Sequence, residues 1–355
     1  FTAAPALIGA AGAEGTTTMS VLKGAYGDTS LSGTGSDMVT VVSNKLRPLT
    51  SNEYAGDLQT ANANVKLTAD RAAVATNTNS LILNGFGITN PGGAITIPIS
   101  SASLAGNILI NSATNIAGAI TSLGTTTTEL NILATANSTI SAIIGTATTG
   151  SLTLSGTGNV TLSAANPYTS TTFINNATLT AGVNNALSSG GVTMRSGLYN
   201  LNGNSDTVGA ISLTGSTIST GAGTLTGNGS FTTATNANFS SIITGNLGLG
   251  ANATFTIGDG LMDNDAVISA VISGGFTFAK AGNGVLELSG SNTFSGATTI
   301  SAGILRLGAT GGGTNTPLGT TAGGTTVSGA TAALDLNGYT LGTAEGLTLS
   351  GALAT

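Results

Sequence analysis

Large apolar side chains in this chain come in short bursts in which every second residue is Leu, Ile, Val or Phe and the residues between are small or polar. Val285-Leu286-Glu287-Leu288, Gly303-Ile304-Leu305-Arg306-Leu307 and Ala333-Leu334-Asp335-Leu336 show the pattern. A period of two is that of a β-strand with one face buried and the other exposed. It predicts that Leu334 and Leu336 point inward and Asp335 outward, with Glu287 and Arg306 on outward positions between inward leucines. Asn-Gly and Ser-Gly pairs follow the bursts at Asn84-Gly85, Asn202-Gly203, Asn337-Gly338, Ser289-Gly290 and Ser350-Gly351. These residue types accept the positive φ of a sharp corner. The single helix expected lies around Ser51 to Asp70, weakened by Gly56 and Thr60.

Self-comparison gives the organisation. Residues 156–182 align without a gap on residues 282–308 at an offset of 126. Gly156 falls on Gly282, Gly158 on Gly284, Leu162 on Leu288, Asn166 on Asn292, Tyr168 on Phe294, Thr172 on Thr298 and Leu179 on Leu305. After a small insertion, Leu201-Asn202-Gly203 matches Leu336-Asn337-Gly338, and Leu81-Ile82-Leu83-Asn84-Gly85 is a weaker echo. Unlike strands that recur at a long period argue against hairpins. They argue for coils whose equivalent positions stack, with Leu, Ile and Val ladders inside and Asn or Thr ladders at the corners. The expected fold is all-β: a right-handed parallel β-helix, or β-solenoid, of about 20–25 residues per coil. It is expected over residues 76–355, with duplicated units at about 156–215 and 282–351 and a distinct N-terminal cap region at 1–75.

Charge supports that division. Half of the charged residues precede Ala72, and from Ala72 to Met194 the only one is Glu129. Lys280 and Arg306, which flank the second copy, are expected as solvated outward charges. Charged residues make up 6% of the 355, Gly supplies 54 positions, and mean hydropathy is +0.34, a composition unlike that of disordered chains. Without Cys or His the chain offers no disulfide, no thiolate metal site and no imidazole base. A net charge of −6 disfavours nucleic acid as a partner, and no apolar run approaches the length of a membrane span. The chain starts at Phe1 without an initiator Met, which points to export through a cleaved signal peptide. The apolar segment Phe1 to Gly12 reads as a processed tail packed on the cap, or as a strand donated to a neighbouring subunit.

The segment GNGVLELSGSNTFSGATTISAGILRLG (282–308) resembles the passenger-associated, autotransporter-type β-strand repeat of secreted bacterial surface proteins. The resemblance extends through Asn315-Thr316-Pro317-Leu318-Gly319 and the lead-in Ala270 to Gly275, and returns in degraded form over 156–215. It does not cover residues 1–75. It implies a β-helix and export to the cell surface, and it carries no catalytic residues to transfer.

One cluster suggests chemistry: Asp259-Gly260-Leu261-Met262-Asp263-Asn264-Asp265. Asp259, Asp263 and Asp265 read as a polar loop, as a Ca²⁺ site made of three carboxylates with backbone carbonyls, or as the acid–base groups of a carbohydrate-active β-helix. Gly-x-Gly sits inside the strand repeats with no helix behind it, so a phosphate-cradling loop is not expected. The run Gly124 to Thr128 raises an ice- or surface-binding solenoid, against which stands the expectation that Thr is scattered over strands and corners. The reading is therefore a non-enzymatic, extracellular structural or adhesive protein without a cofactor unless Ca²⁺ binds. Its expected partners are further copies of itself in a filament or surface layer, because open coil edges invite pairing, or host or matrix glycans and proteins. The alternatives are the carbohydrate-active enzyme and a glycan-binding passenger.

Overall fold

A computed structural model describes residues 5, 7–30, 33, 35–72, 74, 78–89, 105–117, 119–120, 129–145, 150–234, 238–342 and 344–350. The chain divides into two compact units, Phe1–Ser189 and Gly190–Thr355. Both are parallel β-solenoids, as the alternation predicts. Among the described residues the only helical turn is the single 3₁₀ turn Ser51–Glu53. The helix expected around Ser51 to Asp70 is therefore absent. Thr50 and Glu53 make the local bonds of a helix start, Glu53 N–H to Thr50 O and Thr50 N–H to the Glu53 carboxylate. Tyr54 then returns to extended backbone, and Ala63–Lys66 is a strand.

In the first unit one sheet runs through Ala63–Lys66, Thr78–Leu83, Ala105–Ile110, Glu129–Ala134, Ser151–Ser155 and Thr172–Asn175, all parallel. The second runs through Arg71–Ala72, Ile88–Thr89, Thr114–Ile116, Ser138–Ile140, Asn159–Leu162 and Thr178–Ala181. Register places like on like. Val65, Leu81, Ile108, Ile132, Leu154 and Ile174 form one inward column, and Ile88, Ile116, Ile140, Leu162 and Ala181 form another. Such columns bury methyl groups along the coil axis and exclude water, at about 25 cal/mol per Å² of apolar surface covered.

The N-terminal residues differ from the coils. Asp37–Val42 pairs antiparallel with both Tyr26–Gly27 and Lys45–Pro48, and Leu7–Ile8 pairs with Val21–Leu22. Ile8, Met19, Val21, Met38 and Leu49 pack on Ile82 and Leu109, which lie on the outer face of the first sheet. Every position of Thr78–Leu83 is consequently buried. Outward amides there bind backbone: Asn64 and Asn79 donate to Met19 O, both at 2.9 Å, while Asn107 donates to Leu22 O and accepts from Gly24 N–H, both at 3.0 Å. Ala55 lies along the free edge of Ala63–Lys66, donating to Asn64 O and accepting from Lys66 N–H. Of the apolar Phe1 to Gly12 segment, residues 1–4 and 6 fall outside the described residues.

In the second unit one sheet runs through Val192–Arg195, Ile211–Thr214, Phe231–Thr233, Ala253–Ile257, Phe278–Ala281, Thr298–Ile300, Thr325–Val327 and Leu347–Leu349. The second runs through Leu198–Asn200, Thr217–Gly227, Ser241–Leu249, Ala266–Ile268, Val285–Leu288, Gly303–Leu307 and Ala332–Asp335. A shorter face forms where Asp206–Val208 and Val271–Ser273 pair with the far halves of the long strands Thr217–Gly227 and Ser241–Leu249. Coil length varies: register advances 19 residues from Val192 to Ile211 but 27 from Thr298 to Thr325. Leu286, Leu288, Leu305 and Leu307 point inward as expected. Leu336 does not: it follows its strand and is 46% exposed, and Leu334 is only half-buried, because no further second-sheet strand among the described residues covers them.

Candidate functional site

The aligned segments have the same construction. Strands Ser151–Ser155, Asn159–Leu162, Thr172–Asn175 and Thr178–Ala181 recur 126 residues later as Phe278–Ala281, Val285–Leu288, Thr298–Ile300 and Gly303–Leu307. Each copy is thus two coils. The Gly-x-Gly signature is a stacking device. Gly156 and Gly282 have positive φ (104° and 72°), and a Cβ on Gly158 or Gly284 would lie 2.4 Å from a carbonyl oxygen of the preceding coil, Ala136 or Gly258. Asn166 and Asn292 do equivalent work across three successive coils. Asn166 accepts from Ile144 N–H (2.7 Å) and donates to Ala186 O (2.5 Å). Asn292 accepts from Ile272 N–H (2.7 Å) and donates to Pro317 O (2.6 Å).

The copies diverge at one inward position. Extended by two residues, the alignment sets Lys280 on Leu154. The inward column of the second unit reads Val192, Ile211, Phe231, Phe255, Lys280, Ile300, Val327 and Leu349. Lys280 is fully buried, which corrects the expectation of a solvated charge. Its ammonium donates to Gly282 O (2.7 Å), Ala281 O (3.0 Å) and Ala302 O (3.0 Å), so each of its three hydrogens has an acceptor. Burial pushes its pKa down to about 8 against the opposing pull of Asp265. Beside it, Phe231, Phe255, Phe278 and Phe294 stack in sequence, with ring centroids 4.3, 4.4 and 5.5 Å apart. Two signals in the sequence mark the inward place of Lys280: it stands two residues after Phe278 on the same face of the strand, and the repeat alignment sets it on Leu154.

Asp259, Asp263 and Asp265 sit on one corner loop but do not converge. Asp265 is buried, and its carboxylate accepts from Gly260 N–H (2.7 Å) and Val285 N–H (2.8 Å). Asp259 and Asp263 are exposed. No grouping of three carboxylates able to hold a metal occurs among the described residues. Asp265 therefore acts as a loop clamp, a role the sequence did not separate from that of its neighbours. Beside the loop, an outward ladder runs through Glu287, Arg306 and Asp335, which are register neighbours. Arg306, the second expected solvated charge, binds Asp335 at 2.8 Å, Asn264 Oδ1 at 2.9 Å and Asp263 O at 3.2 Å; Asn264 donates on to Glu287 at 2.8 Å. That arginine holds the Asp335 carboxyl below its usual range.

In the first unit, the buried Glu53 receives both Arg47 amino groups (2.6 and 2.7 Å) and the N–H groups of Thr50 and Gly15. Arg47 first, then those N–H groups, hold its pKa near 2 against the effect of burial. Lys66 pairs with Asp37 at 2.8 Å, and Lys23 pairs with Glu129.

Outward positions form hydroxyl rows. On the first sheet of the second unit, Thr193, Ser212, Thr232 and Thr256 are register neighbours, as are Thr254, Ala279, Thr299, Thr326 and Thr348. The first unit carries Asn115, Thr139 and Thr161 in one row, which ends at the buried Thr180, whose hydroxyl donates to Asn159. Threonine on the strands is thus laddered rather than scattered; the Gly124 to Thr128 run lies outside the described residues, apart from which these rows stand.

A family model described as the passenger-associated-transport-repeat matches residues 149–181 and again 278–307. The chain carries two passenger repeats on a β-solenoid. No curated protein and no solved structure matches it. The two matched segments are the two-coil copies described above, one in each unit. The passenger repeat therefore marks the places where glycine and asparagine lock one coil to the next, and it fits a secreted or surface-displayed passenger domain. No helix among the described residues is long and apolar enough to cross a membrane.

Proposed function

We propose that this passenger is a non-enzymatic, adhesive surface protein whose outward hydroxyl and amide rows contact glycans or matrix proteins outside the cell. The in-register row Thr193, Ser212, Thr232 and Thr256 carries the reading. Strand spacing sets its hydroxyls about 4.8 Å apart, and a repeating array suits a repeating polymer. The buried ionisable groups support a passive role. Glu53, Asp206, Asp265 and Lys280 all have partners within the fold, Asp206 through the Tyr199 hydroxyl at 2.5 Å. In this reading residues 1–75 cap the first coil, Ala55 covering its strand edge. The test is binding to arrayed glycans and matrix proteins by the chain and by a Thr232→Lys/Thr256→Lys variant. A loss of about tenfold or more in the variant is expected; equal binding by both would refute the assignment to the rows.

A second reading, self-association, is favoured by the inward-register residues Leu347 and Leu349 on the edge strand, 51% and 74% exposed. Electron microscopy of the purified chain should then show end-to-end assemblies that Leu349→Asn shortens. Isolated particles at all concentrations would remove this reading and leave the first intact.

A further inference from the structure

Corners between the two sheets of the second unit are mostly short. Two residues separate Val192–Arg195 from Leu198–Asn200, and two separate Ile211–Thr214 from Thr217–Gly227. Two consecutive corners depart from this: seven residues lie between Phe231–Thr233 and Ser241–Leu249, and eight between Ala253–Ile257 and Ala266–Ile268. From them project Phe239 (63% exposed), Leu261 (82%) and Met262 (37%). The loops are neighbours, because Ser240 Oγ donates to Asn264 O (2.5 Å) and Ser241 N–H to Asp265 O (3.0 Å). A chain that covers its outer faces with hydroxyls and amides gains nothing for folding by placing three large apolar side chains in water. The second loop is also held in shape. Asp265 fixes its base through Gly260 and Val285, and Asn264 is gripped between Glu287 and Arg306. A loop already ordered loses little entropy when a partner binds.

We infer that this corner is a docking site for a basic protein segment, one that presents an apolar side chain between Lys or Arg residues. Charge makes the choice of occupant. Asp259 and Asp263 flank Leu261 and Met262, both are exposed, and neither carboxylate has a cation partner among the described residues. Arg306, the nearby cation, is held by Asp335 and Asn264. An anionic lipid surface would be repelled. A second copy of this chain, at net charge −6, would be repelled from this corner overall: of its eight cations Lys23, Arg47, Lys66 and Arg306 are ion-paired and Lys280 is buried, which leaves Lys45, Arg71 and Arg195 against fourteen carboxylates. The Asp259 to Asp265 motif then serves to present Leu261 and Met262 within a ring of negative charge. This inference does not use the hydroxyl rows, and its test involves no glycan.

The experiment measures binding of the full chain, by fluorescence anisotropy at low and physiological salt, to a short synthetic peptide alternating Lys with Leu and Phe. Two control peptides replace Lys by Glu, or Leu and Phe by Ser. The Lys peptide should bind at least about tenfold tighter than either control, and Leu261→Ser/Met262→Ser should lose about tenfold with unchanged circular dichroism. Asp259→Asn/Asp263→Asn should weaken binding less and flatten its salt dependence. Equal binding of the three peptides, or wild-type affinity in the Leu261/Met262 variant, would overturn the inference. So would binding to anionic phospholipid vesicles that the same variant loses, which would make the corner a lipid contact. Dimerisation in sedimentation runs that Leu261→Ser abolishes would overturn it in favour of self-association.

Discussion

The two copies of the passenger repeat share a backbone plan, yet one coil interior is closed by Leu154 and the other by Lys280. In the first, the column Ile132, Leu154, Ile174 is continuous hydrocarbon. In the second, a cation interrupts Phe255 and Ile300 and is accommodated because corner carbonyls at Ala281, Gly282 and Ala302 converge on it. A solenoid coil can therefore exchange apolar burial for a fully satisfied polar group without changing its path. What it holds constant instead is the corner chemistry, Gly-x-Gly and the buried Asn. Fold identity in this chain lies more in how coils are joined than in what fills them.

The comparison can be broken most severely at the shared corners. Gly158→Ala and Gly284→Ala each force a Cβ to 2.4 Å from a carbonyl oxygen, so both copies should lose about 4 kcal/mol, read as a fall in denaturation midpoint. Asn166→Ala and Asn292→Ala come next. Each strands a buried N–H and a buried carbonyl of neighbouring coils, and about 3 kcal/mol should be lost in either copy. A corner substitution tolerated in one copy and not in the other would contradict the shared plan.

Lys280→Leu sharpens the contrast, because it installs the residue of the first copy. Burial lowers the Lys280 pKa from 10.5 to about 8, so between those pH values the unfolded chain keeps a proton that the folded chain has released. Stability from this group accordingly rises as pH climbs from 8 towards 10.5, by at most about 3 kcal/mol. Thermal melts of the chain and the variant should show that slope in the first and lose it in the second. Tyr26 and Tyr54, whose pKa values burial raises, pull stability down above pH 10 in both proteins and cancel in the difference. Smallest is the outward ladder: Arg306→Ala should cost less than about 1 kcal/mol, and the cost should shrink with added salt, since Asp335 is well exposed.

Much of this fold was legible because two of its determinants are written locally. Alternation at Val285 to Leu288 and Gly303 to Leu307 names the buried face of each strand, and Asn202-Gly203 and Asn337-Gly338 do adopt the positive φ their identity allows. Less legible was whatever depends on a partner distant in sequence. The stretch Ser51 to Asp70 has a helix-start signature at Thr50 and Glu53, but Glu53 is captured by Arg47 and Gly15, and Ala63–Lys66 is drawn into a parallel ladder with Thr78–Leu83. The three aspartates look equivalent in sequence; only the fold separates Asp265, buried under Val285, from the exposed pair. Threonines far apart in sequence become a row only once coil lengths of 19 to 27 residues are known.

The in-register columns also carry a mechanical consequence. Within a unit each strand is bonded mainly to the strands of the coil before and the coil after, so tension applied along the axis loads those few bonds one coil at a time. Extension should proceed by unzipping, each step freeing one coil. At about 3.4 Å per residue, a coil of 20 residues such as Leu152 to Thr172 would lengthen the tether by roughly 70 Å. A sawtooth with steps near that size would be its signature in a force trace. The 27-residue coils from Leu81 to Ile108 and from Thr298 to Thr325 would stand out as longer teeth.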